Sequence, residues 1–115
     1  LPYTLKSIFF ADINTGYACG QNGTIVKSTN KGMSWVLQNS GVYYEVTSVS
    51  FSGVNTGIAI GDYGTILKTV DGGQSWVSQL SVTSYFLRSL YFVNPNQGWA
   101  AGETGTIIHT EEGGF

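Results

Sequence analysis

The sequence is short of charge, of cysteine and of arginine, and each shortage removes a class of function. Only 10% of its 115 residues are charged, five basic and seven acidic, against about 25% in an average globular chain. Basic residues so few and so scattered form no stripe, and a net charge of −2 leaves no electrostatic footprint for nucleic acid. Cys19 is the single cysteine, which excludes an internal disulfide, a cysteine metal knuckle and a redox pair. No apolar run approaches the roughly 18 residues of a membrane-spanning helix, so no transmembrane segment is expected. Arg88 is the single arginine. A sialidase-type glycoside hydrolase needs an arginine cluster for its substrate's carboxylate, a tyrosine nucleophile and an acid/base carboxylate. One arginine cannot supply the cluster, and the neighbouring Tyr44 and Glu45 have no cationic companion in the sequence. The expectation is therefore no catalysis, no cofactor and no metal site.

What the chain does have is glycine, aromatic residues and a period. Sixteen glycines and 14% aromatic residues accompany a hydrophobic content of 42%. Shifted by 41 residues the sequence matches itself without a gap, with 18 of 41 positions identical between the first two copies. Gly16, Gly57 and Gly98 fall in register, as do Gly20, Gly61 and Gly102, then Gly23, Gly64 and Gly105, and Thr24, Thr65 and Thr106. A period of this length means one supersecondary unit that buries its apolar faces against its neighbours.

Each unit reads as four short strands. In the first copy these span 5–11, 16–20, 24–29 and 34–38, separated by turn-forming residues such as Gln21-Asn22-Gly23 and Asn30-Lys31-Gly32. No window shows helical periodicity. The first strand alternates (Val49 and Phe51 against Ser48 and Ser50), whereas the third carries an apolar pair (Ile25-Val26, Ile66-Leu67, Ile107-Ile108) suited to a sheet covered on both faces. Four antiparallel strands per repeat is the pattern of a β-propeller blade. The expected fold is all-β: a partial propeller of about 2.75 blades, with blades at 1–41 and 42–82 and an incomplete one at 83–115. So few blades cannot close a ring, so further blades are expected from the same protein or from copies of the chain.

The turn between the third and fourth strands carries the sharpest motif. Ser28, Asn30, Gly32 and Trp35 in the first copy, and Thr69, Asp71, Gly73 and Trp76 in the second, fit S/T-x-D-x-G-x-x-W with Asn once in place of Asp. The Asp or Asn side chain is expected to accept N–H bonds within its own turn, the Gly to supply a left-handed residue, and the Trp to pin the hairpin to the blade. These are structural Asp boxes. Together with apolar-x-Phe and Gly-x-Ala-x-Gly-x-x-Gly-Thr-Ile, the pattern resembles the photosystem II assembly/stability-factor-like family of Asp-box (BNR-type) propellers, over the whole chain. The departures are Asn30 in box one, Glu112 in box three, and the loss of box three's Trp, since the sequence stops at Phe115 inside that box. The resemblance implies a propeller and suggests a role in assembling a larger membrane-associated complex.

Strand alternation sorts the loops onto two faces. The boxes share one face with the first turns of each blade. The inter-blade linkers and second turns share the other, and there the repeats diverge. Tyr43, Glu45, Asp62, Tyr63, Arg88 and Glu103 break the repeat on that face and are the candidate partner-binding residues, because variable polar and aromatic residues on a rigid frame are how binding surfaces are made. Tyr3, Tyr44 and Tyr85 recur in register and read as packing residues, Cys19 as core, His109 as a solvated strand residue and Trp99 as an aromatic packing slot. The reading is a non-enzymatic scaffold that binds a protein or peptide partner. The alternatives are a lectin-type propeller for glycans, since aromatic platforms with amides suit sugars, or a part of a sialidase-like hydrolase. A lysine-poor, Ser/Thr/Asn/Tyr-rich composition points to an exported protein, extracellular, on the cell surface or periplasmic.

Overall fold

Short apolar segments that end on Gly, Asn and Asp can only form short strands joined by tight turns, and this is what the repeats do. The computed structural model describes residues 2–113. Repeat one contributes β1 (Leu5–Phe10), β2 (Gly16–Gly20), β3 (Ile25–Ser28) and β4 (Val36–Gln38), paired in that order in one antiparallel sheet. Repeat two gives β5 (Val46–Phe51), β6 (Gly57–Gly61), β7 (Ile66–Thr69) and β8 (Val77–Ser78) in the same order. Repeat three gives β9 (Leu87–Phe92), β10 (Gly98–Gly102) and β11 (Ile107–Thr110). The architecture is a partial β-propeller. Leu1, Gly114 and Phe115, and with the last two the final part of box three, lie outside the described residues.

One local feature departs from the sequence reading. The fourth strand begins at Val36 and not Ser34, because Ser34 and Trp35 are consumed by the box turn. The turn after the second strand of each blade falls where the sequence places it, at residues 21–24, 62–65 and 103–106. It is of the mirror-image type I′, with both central residues at positive φ and the closing N–H of Thr24, Thr65 or Thr106 donating back to the first carbonyl.

The core lies between blades. Tyr17 of blade one lies flat on Phe51 of blade two, with ring centroids 3.7 Å apart and 11° between planes. Trp76 meets the same Phe51 edge-on at 5.8 Å. Cys19 and Ile25 pack in this cluster with Val46, Val49, Ala59 and Leu67. Cys19 is fully buried, as its alignment with Ile60 and Ala101 implies, and desolvation, followed by the Glu45 charge, pushes its thiol up to about 12. Ile58, Ile60 and Ile66 repeat the arrangement against Leu87, Ala100 and Ile108.

A polar contact accompanies the first of these interfaces. The Gly72 carbonyl, in the second box turn, accepts from Lys27 Nζ at 2.9 Å, Gln38 Nε2 at 3.1 Å and the Tyr17 hydroxyl at 3.2 Å. Tyr17 also lies 2.9 Å from the Val54 carbonyl. Three strands of blade one thus converge on one oxygen of blade two, so the box fastens its own hairpin and the neighbouring blade together. Between blades two and three, the buried Thr47 hydroxyl donates to the Leu87 carbonyl at 2.6 Å.

The same positions are bare on the outer blades. Val49 is 3% exposed, but its blade-one counterpart Ile8 is 62% exposed, and Leu5, Phe10 and Leu37 open onto the same side. Ile66 is 1% exposed and its blade-three counterpart Ile107 is 70% exposed, beside Tyr91 and Trp99. Trp99 stacks on the exposed His109 at 4.9 Å instead of on a neighbouring blade.

Tyr17→Phe is expected to cost about 1 kcal/mol, the usual loss for a buried hydrogen-bonding hydroxyl, and Phe51→Ala about 3–5 kcal/mol from cavity formation. Urea unfolding of both variants measures the difference. Equal losses would show that the flat ring contact is not what holds the blades.

Candidate functional site

The loops separate onto two ends of the blades, and the hydrogen bonds show which loops share an end. Lys31 N donates to Asn14 O, Gly72 N to Asn55 O and Gly113 N to Asn96 O, so each box turn is tied to the first turn of its own blade. At the opposite end Gln21 N donates to Thr4 O, Asp62 N to Glu45 O and Glu103 N to Phe86 O, tying the second turn of each blade to the linker that enters that blade.

The box end is built for local satisfaction. In box two the Asp71 carboxylate accepts from Ser75 N at 3.0 Å, Ser75 Oγ at 2.6 Å and Thr69 Oγ1 at 2.8 Å. Thr69 Oγ1 in turn accepts from Gly73 N at 2.9 Å. That last bond, and its counterpart from Gly32 N to Ser28 Oγ at 2.8 Å, give the opening Ser/Thr a function that the motif alone does not explain. Gly32 and Gly73 both sit at φ +85°, the left-handed region the motif requires. Asn30 replaces the carboxylate without loss of pattern: Oδ1 accepts from Ser34 N at 2.9 Å and Nδ2 donates to Ser34 Oγ at 2.7 Å. Trp35 closes box one on the Gly32 carbonyl and meets Phe10 edge-on, while Trp76 packs on Phe51.

The linker end is held rigidly by its glycines. A methyl group at Gly61 would run into the Glu45 carbonyl oxygen, and one at Gly64 into that of Thr83. Residues 62–64 are therefore pressed onto both flanking linkers. Tyr63 is at φ +60°, as are Asn22 (+59°) and Thr104 (+55°) at the equivalent positions. A left-handed conformation is strained for a tyrosine, but its recurrence in all three blades makes it a property of the frame. Only the side chain it displays changes from blade to blade.

A second backbone device positions Arg88. The pairing of each first strand slips by one residue at its start, between Leu5 and Ser7, between Val46 and Ser48, and at the Leu87 end of β9. The extra residues are Lys6, Thr47 and Arg88. A β-bulge of this kind re-aims the side chain it carries, and the equal spacing of the three residues is its only trace in the sequence.

The six candidate residues divide among three places. Arg88 lies 4.0 Å from Glu45 and 3.7 Å from Glu103, so the sequence-based view that Glu45 lacks a cationic companion is corrected: Arg88 reaches it across one full repeat. Asp62 joins them electrostatically. Desolvation, then Glu45, raises its pKa, Arg88 lowers it and Glu103 raises it again. Its Oδ1 is enclosed and has no hydrogen-bond partner among the described residues. Glu103 also caps the third linker, accepting from Phe86 N at 3.1 Å.

Tyr63 belongs to an aromatic row beside these charges. It meets Tyr44 edge-on at 4.8 Å and Phe86 edge-on at 4.7 Å, and Arg88 lies over the Phe86 ring at 5.4 Å. Tyr44 and Phe86 are thus part of the surface, although Tyr44 read as a packing residue by its register. It does pack, but its partner is Tyr63 and it stays half exposed. Tyr43 is apart from the row. It is 84% exposed and lines a separate groove of about 420 Å³ with Tyr3, Asn22, Leu37, Asn39 and Val42. No group of three His, Cys, Asp or Glu residues converges to hold a metal ion among the described residues, and no helix among them is long and apolar enough to cross a membrane.

The chain's residues 28–115 match the family described as photosynthesis system II assembly factor YCF48. Among solved structures it is similar to "YCF48 bound to D1 peptide", with a TM-score of 0.86, 28% identity and coverage of 99% of this chain. It is also similar to YCF48 from Cyanidioschyzon merolae, with a TM-score of 0.82, 26% identity and coverage of 100% of this chain. The chain spans 39% of the length of each. No curated protein matches.

Two outcomes are expected from this geometry. Gly61→Ala should destabilise by roughly 1–3 kcal/mol, the scale of an overpacked site, and shift the NMR resonances of Glu45 and Tyr63 together; a shift confined to residue 61 would show that turn and linker are not coupled. The second concerns acid. Hydrogen bonds from the Ser75 hydroxyl and N–H and from the Thr69 hydroxyl hold Asp71 down from 3.8 to about 2. A carboxylate whose folded pKa lies below its unfolded value contributes stability that is present above about pH 4 and is lost as pH falls toward 2. Asp71→Asn should therefore flatten the acid limb of the stability curve over that range while keeping the turn, as Asn30 does. An unchanged acid limb in thermal melts would mean that Asp71 is not ionised differently on folding.

Proposed function

From the premise that the chain belongs to the YCF48 photosystem II assembly factor family, we propose that it is part of a non-catalytic propeller scaffold that holds a peptide segment of a protein partner on its linker end, in the service of assembling a larger complex. The observation that carries this reading is the row Tyr44, Tyr63 and Phe86, a contiguous aromatic surface edged by Arg88, Glu45 and Glu103. Aromatic rings with polar ends dominate the energetics of such contacts, and a rigid frame spares the entropy of ordering them. A relative of similar fold is recorded with a bound peptide, which supports the same class of partner here. The single arginine supports a binding role over glycoside hydrolysis, because the carboxylate-gripping cluster cannot be built from this chain.

The two bare blade faces belong to the same proposal. They are covered by further blades of the same kind, from the same protein or from copies of the chain, since each large apolar side chain left wet forfeits roughly 1.5–3 kcal/mol. The sparse charge supports placement outside the cytoplasm, which fractionation of the native cells would decide. The groove beside Tyr43 favours a second ligand class, a glycan, because its lining joins two tyrosines and three amides without a charged residue; glycan-array binding abolished by Tyr43→Ala would establish it.

The main test is a double substitution, Tyr44→Ser with Tyr63→Asn, the residue blade one carries at the equivalent left-handed position. Partner capture from native extract should fall at least tenfold at a temperature where both proteins are folded, with stability lowered by about 1–3 kcal/mol for the two edge-on ring contacts removed. Capture that survives would place the binding surface elsewhere. For the covered faces, Ile8→Ser in the whole protein should destabilise as much as Val49→Ser; a much smaller effect at Ile8 would mean that blade one's outer face stays wet.

A further inference from the structure

We propose that the segment held on the aromatic row is cationic, carrying a lysine or arginine next to apolar residues. This rests on the linker end being the binding face, and it assigns the chemistry of what that face takes. The row ends at three carboxylates, Glu45, Asp62 and Glu103, which share one guanidinium. Arg88 is the only arginine of the chain and sits 3.7 Å from Glu103 and 4.0 Å from Glu45, so it compensates part of the acidity and leaves an excess of negative charge. Asp62 adds to that excess, beside Glu45 and Glu103.

The aromatic row provides a second attraction for the same chemistry. Arg88 already lies over the Phe86 ring, which shows that the row presents a ring face to a cation at this end. The exposed parts of Tyr44 and Tyr63 continue that surface from Phe86. A peptide with one basic residue set among the acids and its apolar neighbours along the rings satisfies charge and surface together. An acidic segment would meet Glu45, Asp62 and Glu103 with a single arginine in its favour, and like charges across an interface disfavour a partner.

The probe is a random peptide library displayed against the folded wild-type protein and counter-selected on the Tyr63→Asn variant, so that only ligands of the row are scored. Lys and Arg should be enriched over Asp and Glu among these peptides, and their affinity should fall with added salt. Glu45→Gln or Glu103→Gln should weaken them by roughly two- to fivefold, the scale of a partly exposed charge pair. Gln at 103 retains the acceptor that Phe86 N–H uses. Arg88→Gln should tighten them by a similar factor, since it removes the competing cation. Tyr63-dependent peptides that are neutral or acidic, or that weaken with Arg88→Gln, would overturn the cationic assignment while leaving the binding face in place. A library yielding no Tyr63-dependent ligand would overturn both.

Discussion

A blade of four short strands has two apolar faces and almost no interior of its own, so its stability depends on the blade beside it. Tyr17 flat on Phe51 is the centre of that dependence, with Cys19, Ile25, Val49 and Leu67 filling the space around the two rings. Dispersion and burial supply the energy, but they are non-directional. Direction comes from the Gly72 carbonyl, on which Tyr17, Lys27 and Gln38 converge from three strands of the preceding blade. One oxygen thus ties the sheet of blade one to that of blade two, and between blades two and three the Thr47 hydroxyl on the Leu87 carbonyl does the same. Burial also raises the Tyr17 hydroxyl to about 12, with desolvation the main cause and Asp12 the second, so this donor keeps its proton over any ordinary pH.

The same frame keeps stability and recognition at opposite ends. At the box end the carboxylate and amide side chains of the turns are answered locally: Asp71 by Ser75 and Thr69, Asn30 by Ser34, Asp12 by the N–H groups of Asn14 and Thr15. Such turns change little when their partners are all within four residues. At the linker end the backbone is as fixed, because glycines at 61 and 64 press the turn onto the linkers, but the side chains are not answered locally. The left-handed position carries Asn22, Tyr63 or Thr104, and the bulge carries Lys6, Thr47 or Arg88. One backbone therefore gives an exposed lysine, a buried hydroxyl that ties blade two to blade three, and a guanidinium between two carboxylates. Function can drift at these positions without disturbing the core.

Belonging to a family of longer proteins gives the bare faces a physical meaning. The chain spans 39% of each solved relative it resembles, and its outer blades expose the positions that its middle blade buries. Ile8 and Val49, or Ile107 and Ile66, are chemically alike, and only the presence of a neighbouring blade separates them.

How much was legible in the sequence follows from the range of the interactions involved. The strands, the box turns, the buried Cys19 and the sorting of loops onto two ends could be read from spacing, because hydrogen bonds in turns and two-residue alternation act over a few residues and the 41-residue period repeats them. The six candidate residues were legible as a set that breaks the repeat, but not as neighbours. Arg88 meets Glu45 across 43 positions of sequence, Tyr63 meets both Tyr44 and Phe86, and Tyr43, adjacent to Tyr44, turns to a different groove. The bulge at Arg88 and the convergence on Gly72 left no local signature, since both arise when whole sheets are laid against one another. Sequence alone determined the blade, and tertiary structure decided which charges and rings share a surface, because those contacts depend on the angle between blades and not on any order along the chain.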